Sequence, residues 1–236
     1  MAMRVAVISD IHANLPALDA VLADIDQCNA DAIVVCGDLA WGPEPAATMD
    51  RLMNLPGPVY FVKGNADREV GERHGADQGL PEWIAEINEW CAAQLSAAQR
   101  EFLNRLPRSV TLTVEGMGDV LFVHGSPRSD TDPIRRETPD EIIWPMLAGI
   151  SQKTIACGHT HIQFDRMVGE TRIINVGSVG LPSAARGACW ALLGPDSALK
   201  ETSYDYHAAA DQIRRSGCPG ANDFADHILH PPDEGP

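Results

Sequence analysis

The feature that most constrains this chain is a set of short, non-alternating apolar runs, rich in Val and Ile, that each stop at Gly or polar residues. They are Arg4–Ser9, Ala32–Cys36, Val59–Val62, Val120–Val123, Thr154–Cys157 and Arg172–Val176. A strand with one face in water alternates apolar and polar residues, whereas a strand apolar at successive positions has both faces covered. These runs therefore predict buried strands of an α/β protein. Between the first two, Leu15, Leu18, Val21, Leu22 and Ile25 fall on one face of a helix, with Pro16 tolerable in its first turn. The first three runs then read as βαβαβ units with right-handed crossovers.

The segment from Arg68 to Pro107 has no strand pattern. It carries two helical ones, Trp83–Leu95 and Ser96–Leu106, the second opened by Ser96 as an N-cap, and is expected to be a helical insertion beside the sheet and over the site. From Ile155 onward strands are expected near Gln163–Val168, Arg172–Val176, Ala188–Leu193 and Leu199–Tyr204, then a helix near Tyr206–Arg215. Residues 1–216 are expected to form one domain, and the Pro/Gly/Asp-rich stretch 217–236 a poorly ordered tail.

A chain of 236 residues buries a sizeable core without covalent staples. The cysteines, Cys28, Cys36, Cys91, Cys157, Cys189 and Cys218, contain no CxxC pair and predict no disulfide framework. A formal net charge of −15 opposes binding to nucleic acid or anionic membrane. Val5–Ile8 is too short for the apolar core of a signal peptide, and no run nears the ~20 residues that span a bilayer. The expected location is the cytoplasm, without membrane attachment.

Chemistry gathers where the buried runs end. Ser9-Asp10-Ile11-His12 follows the first, Gly37-Asp38 the second, Gly64-Asn65 the third, His124-Gly125 the fourth and Gly158-His159-Thr160-His161 the fifth. Ligands of open α/β sheets collect at the carboxyl ends of strands, so these sets can converge on one crevice. In extended chain, residues i and i+2 share a side, so Asp10 with His12, and His159 with His161, each aim two ligands at one region. Gly37, Gly64, Gly125 and Gly158 remove bulk where backbone approaches metal or phosphate. Imidazole, carboxylate and amide oxygen suit Mn, Fe, Zn or Ni, and the lack of thiolate opposes a structural zinc site. Seven such side chains are too many for one metal that keeps an open position, but suit two metals sharing a carboxylate.

The succession D-x-H, G-D, G-N, H-G and G-H-T-H, running from Val5 to about Pro182, resembles the calcineurin-like metallophosphoesterases. The likeness is greatest to their small bacterial and archaeal phosphodiesterases, with a DIHxN start and an NxGSxG turn. The resemblance implies a four-layer α-β-β-α sandwich with two facing mixed sheets. It also implies one divalent metal on Asp10, His12, Asp38 and His161, and a second on Asp38, Asn65, His124 and His159, with manganese the metal for activity. Asp38, Asn65 and His124 would then act on the hydroxide held between cations ~3.5–4 Å apart and on the phosphate of a small phosphorylated substrate, with in-line attack and no covalent intermediate.

One departure matters. Much of the family has His after Gly-Asn, a residue thought to protonate the leaving group, whereas this chain reads Gly64-Asn65-Ala66-Asp67. General acid catalysis is worth roughly 10²–10⁴-fold, so the expected substrates are phosphodiesters and activated esters such as nitrophenyl phosphates. Asp67 and His74 are candidates for a substitute acid, against a turn residue and a surface His respectively. Asn14 is read as either a phosphate contact or a helix cap, and Arg128 as a phosphate clamp or a solvated loop residue. Asn175-Val176-Gly177-Ser178-Val179-Gly180 is expected to shape the site floor. His207, His227 and His230 are expected on the surface, and Trp83 and Trp90 in packing rather than as a base-stacking platform. Substrate choice would lie in Arg68–Pro107 and Ser126–Pro139. The alternative is a non-catalytic metal-binding interaction scaffold on the same fold, which Ala66 favours and the complete ligand set opposes. The sequence leaves the oligomeric state open between a monomer and a homo-oligomer, dimers being the common default.

Overall fold

The computed structural model describes residues 2–236. Two five-stranded mixed sheets face one another. The first contains β1 (Val5–Ile8), β2 (Ala32–Val35), β3 (Val59–Phe61), β9 (Ala188–Leu193) and β10 (Ser197–Thr202), in the order β10-β9-β1-β2-β3. Strands β1, β2 and β3 are parallel, in a register that sets Val5 beside Ala32 and Ile33 beside Val59, and β9 runs antiparallel to β1. The second contains β4 (Ser109–Val114), β5 (Gly118–Val123), β6 (Thr154–Cys157), β7 (Phe164–Val168) and β8 (Thr171–Asn175), in the order β4-β5-β6-β8-β7. Its centre, β5-β6-β8, is parallel, and its edges are antiparallel.

The layering explains the unbroken apolar runs, with a correction at β3, an edge strand whose Val59, Tyr60 and Phe61 are half-buried rather than covered on both faces. On β1, Val5 and Val7 point between the sheets, where they meet Val34, Val120, Phe122, Ala156 and Ile174. Ala6 and Ile8 point the other way, into a core shared with α1 (Leu15–Asp26), α2 (Pro45–Met53), α4 (Glu82–Gln94), α5 (Ala97–Arg105), α7 (Tyr206–Arg214) and α8 (Ala221–Leu229). The second sheet buries Leu121, Ile155 and Ile173 under Ile143 and Met146, from α6 (Asp140–Ile143) and the turn that follows it. The four layers are thus unequal, thick over the first sheet and thin over the second.

Helix α3 (Asn65–Gly71) starts at the ligand position itself, and α4 and α5 follow it across the stretch read as an insertion. Ser96 caps α5 in a reciprocal pair with Gln99. The expectation of a loose tail at 217–236 is corrected: α8 lies there and buries Phe224, Ala225 and Ile228 in the main core. Spacings of one and four residues put these three on one helical face, and that apolar face outweighs the surrounding Pro, Gly and Asp. No helix among the described residues is long and apolar enough to cross a membrane.

Candidate functional site

The parallel strands of both sheets deliver their carboxyl ends to one crevice. Asp10, His12, Asp38 and Asn65 come from the first sheet, and His124, His159 and His161 from the second. Each chain must leave its strand sharply to turn a side chain back toward the others. Asp10, His12, Asp38, His159 and His161 do so with left-handed backbone, at φ +54°, +48°, +56°, +66° and +58°. For residues with a Cβ this costs roughly 1–2 kcal/mol each. Strain of this kind concentrates at functional sites.

The two carboxylates are oriented in the same manner. Asp38 Oδ1 accepts the backbone N–H of Ala66 at 2.9 Å, leaving Oδ2 to face His124 Nε2 at 3.4 Å and His12 Nε2 at 3.9 Å. Asp10 Oδ2 accepts the N–H of His159 at 3.0 Å, leaving Oδ1 toward His161 Nε2 at 3.3 Å, His12 at 3.9 Å and His124 at 4.0 Å. Asp10 is wholly buried, and its Oδ1 has no hydrogen-bond partner. A buried carboxylate oxygen without a donor costs several kcal/mol unless a cation meets it. The imidazoles are set by backbone carbonyls: His124 Nδ1 donates to Cys36 O at 2.7 Å and His12 Nδ1 to Trp41 O at 3.2 Å, which turns both Nε2 atoms inward.

Two triads follow from these directions, Asp10 with His12 and His161, and Asp38 with His124 and His159, the ligand atoms within each lying no more than 4.8 Å apart. Asn65 Oδ1 joins the second at 3.2 Å from His124 Nε2, and His12 Nε2 and His161 Nε2 approach to 3.1 Å. Imidazoles that turn Nε2 toward one another and toward carboxylates form a donor set for divalent cations, which displace any proton held there. Burial pushes the Asp10 carboxyl up, but His161 and His124 outweigh it and hold it far below the usual range. Asp38 is also lowered, burial being outweighed by His124. His12 is lowered to about 4 by burial and by His161, and His159 is lowered by burial and by His124. His124 is raised to about 10, since Asp38 and Asp10 outweigh its burial.

The glycines make room for ligands rather than for substrate. A Cβ on Gly64 would lie 2.1 Å from Asp38 Oδ1, and one on Gly158 2.3 Å from Asp10 Oδ2. The Asn175–Gly180 turn clamps the same loops. Asn175 donates to Gly158 O at 2.7 Å, Ser178 Oγ donates to Asp10 O at 2.8 Å, and the N–H of Gly180 donates to Asp10 O at 2.9 Å.

The remaining residues read from the sequence as phosphate or acid groups stand apart. Asn14 caps α1 through Ala17 N at 3.3 Å and donates to Gly180 O at 2.9 Å, so its amide is occupied by backbone. Asp67 is buried beneath the loops and accepts the N–H groups of Asp38, Leu39 and Gly64 at 2.8–2.9 Å. Burial and the Asp38 charge push its carboxyl up to about 7 against those bonds. Arg128 is exposed and forms a two-pronged pair with Asp132 at 2.9 and 2.7 Å. His74 pairs with Glu72 at 2.8 Å.

Several residues of the site were not legible in the sequence. The crevice opens into a cleft of about 490 Å³ whose walls include Trp41, Glu69, Trp83, Ile84, Leu181 and His227. Glu69 lies one helical turn beyond Asn65 on α3, and burial and the Asp38 charge raise its carboxyl. His227 and Trp83 correct the readings of a surface His and a packing Trp. His227 is partly buried with Nε2 3.0 Å from Pro182 O, and Trp83 is 59% exposed on the cleft wall. His207 and His230 are exposed, and Trp90 is half-buried against the main core. A larger cavity, about 840 Å³ near Arg135–Glu137 and Ser183–Ala185, contains none of the seven ligand side chains.

The chain resembles known proteins in sequence and in fold. The calcineurin-like phosphoesterase superfamily domain matches residues 3–197. The phosphodiesterase YfcE of Escherichia coli K12 is 27% identical over 205 residues, 82% of this chain and 89% of that protein. A metallophosphoesterase from Sphaerobacter thermophilus superposes with a TM-score of 0.75 at 27% identity, covering 97% of this chain and 99% of that one. A hypothetical protein from Pyrococcus horikoshii OT3 shares the fold at a TM-score of 0.83 and 22% identity, with 97% and 99% covered.

Proposed function

Since this chain belongs to the calcineurin-like phosphoesterase superfamily and is a metal-dependent phosphoesterase, we propose that it hydrolyses small phosphodiesters and activated phosphate esters with two divalent cations, manganese serving best. The observation that carries this reading is the wholly buried Asp10 Oδ1, without a donor and faced by three imidazole nitrogens. Asp10, His12, Asp38 and His161 would hold one cation, and Asp38, Asn65, His124 and His159 the other. When bound, such a pair acidifies water and neutralises phosphoryl oxygens.

The chain's own part is to hold and to orient. The Ala66 N–H and His159 N–H fix one oxygen of each carboxylate, so Asp38 Oδ2 and Asp10 Oδ1 need not reorganise when charge develops. The carbonyls of Cys36 and Trp41 fix the His124 and His12 rings. At Ala66 the chain offers a methyl group and no proton, and Asp67 is committed to three backbone donors. The leaving group must therefore carry its own negative charge well, which favours aryl and other activated esters over alkyl ones.

Hydrolysis of bis-p-nitrophenyl phosphate with Mn²⁺ tests the reading. Turnover is expected, with a rate that falls steeply as the leaving-group pKa rises. Asp38→Asn should lose about a hundredfold or more, beyond the 10–100-fold that loss of an outer hydrogen bond costs, and should lose bound metal with it. A folded protein inert with Mn, Fe, Zn and Ni would overturn the hydrolase and leave the metal-binding scaffold.

A further inference from the structure

The cleft wall nearest the metal ligands is aromatic, and its outer part is open to solvent. Trp41 packs edge-on against His12, with ring centroids 5.5 Å apart, and Trp83 packs against Trp41 at 6.3 Å. Ile84 and Leu181 extend this wall, and Ala66 keeps the floor beside it low. Trp83 is 59% exposed in the first turn of α4, which leaves most of a large ring uncovered at the mouth of a polar crevice. Trp41, Trp83 and Leu181 also border a second hollow of about 240 Å³, completed by Ile87 and Phe224, so the indoles form a ridge between two apolar recesses. Exposed apolar surface that is contiguous and rimmed by polar groups marks a binding site, unlike a Trp standing alone on a surface.

Charge narrows what such a wall can receive. Among the described residues no Lys or Arg lines the cleft, while Asp38, Glu69 and Glu234 do. A dianionic monoester or a polyphosphate would bring charge that only the metal-bearing floor could offset. A diester brings a single charge, placed at that floor, and an uncharged ring can occupy the wall.

We propose that Trp83, backed by Trp41, is a stacking platform for a planar aromatic ring, aryl or nucleoside, carried on a phosphodiester substrate. This inference rests on the phosphodiesterase reading and names its substrate class. Base–aromatic stacking is sequence-tolerant because every such ring presents a π-face. Trp83 thus acts as a specificity residue that touches substrate away from the reacting phosphorus.

The test compares two diesters of equal charge, diphenyl phosphate and diethyl phosphate, as competitive inhibitors of bis-p-nitrophenyl phosphate hydrolysis by the Mn²⁺-loaded protein. Calorimetric titration of the same protein with both gives a readout independent of turnover. Diphenyl phosphate should bind about tenfold tighter or better, within the span of single-base stacking. Trp83→Ala should bring the ratio of the two constants toward one, and Trp83→Phe should keep most of it. Equal binding of the two diesters to the native protein, or a ratio that survives Trp83→Ala, would overturn the platform. Absent turnover with the ring preference intact in calorimetry would sink the phosphodiesterase reading and spare the platform. Thymidine 5′-ethyl phosphate separates the ring sources: binding equal to diphenyl phosphate supports a nucleoside diester, and weaker binding with the Trp83 dependence intact supports a simple aryl diester.

Discussion

At the scale of single residues, the site is an exercise in giving each polar atom one partner and leaving a few atoms over. Asp38 and Asp10 each give one carboxylate oxygen to a backbone N–H and keep the other for the crevice. Gly64 makes the first of these arrangements sterically feasible, because a methyl there would stand 2.1 Å from Asp38 Oδ1. Gly64→Ala should therefore displace Asp38, lowering metal content and rate together, at a stability cost of about 1–3 kcal/mol, the usual range for overpacking; elemental analysis and denaturant titration check both. Asp67 carries the loops from below. Asp67→Ala strands three buried N–H groups and should cost about 3 kcal/mol or more, read as a lower urea midpoint. The candidate ligand side chains that meet in the crevice were legible in the sequence because they immediately follow Val/Ile runs. Glu69, Trp83 and His227 were not, since only tertiary packing brings a helix turn, an exposed indole and the C-terminal helix to the same cleft.

Among the elements, the strands buried on both faces were the easiest to read, since no other arrangement accounts for runs such as Val5–Ile8. Strand β4 lies outside the unbroken apolar runs, and its Ser-Val-Thr-Leu-Thr-Val alternation is that of an edge strand with one face in solvent. The helix that the βαβαβ reading implies between the second and third strands is α2, opened by Pro45 in its first turn, where a missing N–H costs nothing. Helix α8 was hidden by composition. Its Phe224 is 6% exposed and packs against Trp41 with centroids 5.1 Å apart, so this helix supports the cleft wall as well as the core. Phe224→Ala should destabilise the protein by about 3–4 kcal/mol, seen in thermal or chemical unfolding. It should also loosen the Trp41 ridge, weakening aromatic ligands beyond what stability alone explains.

Over the whole molecule, the seven candidate ligands are divided between two sheets, so cations bound there would add to the apolar contacts and the few hydrogen bonds that already join the layers. Binding to the folded state only, each cation at a hundred times its dissociation constant adds about 2.7 kcal/mol. For a chain of this length that raises Tm by roughly 5–11 °C per site, and a chelator should reverse the rise in a melting scan; an unmoved Tm would mean no cation binds the native state. The left-handed backbone at Asp10, His12, Asp38, His159 and His161 has a further consequence, for the protein's descent. Those five conformations suit glycine best, and Asp and His are among the few other residue types that tolerate them. A lineage with no use for the crevice would meet little resistance to replacing them, and drift would erase the ligands long before it touched the sheets. Exchange of any of the five for glycine should thus relieve backbone strain while removing a candidate metal contact.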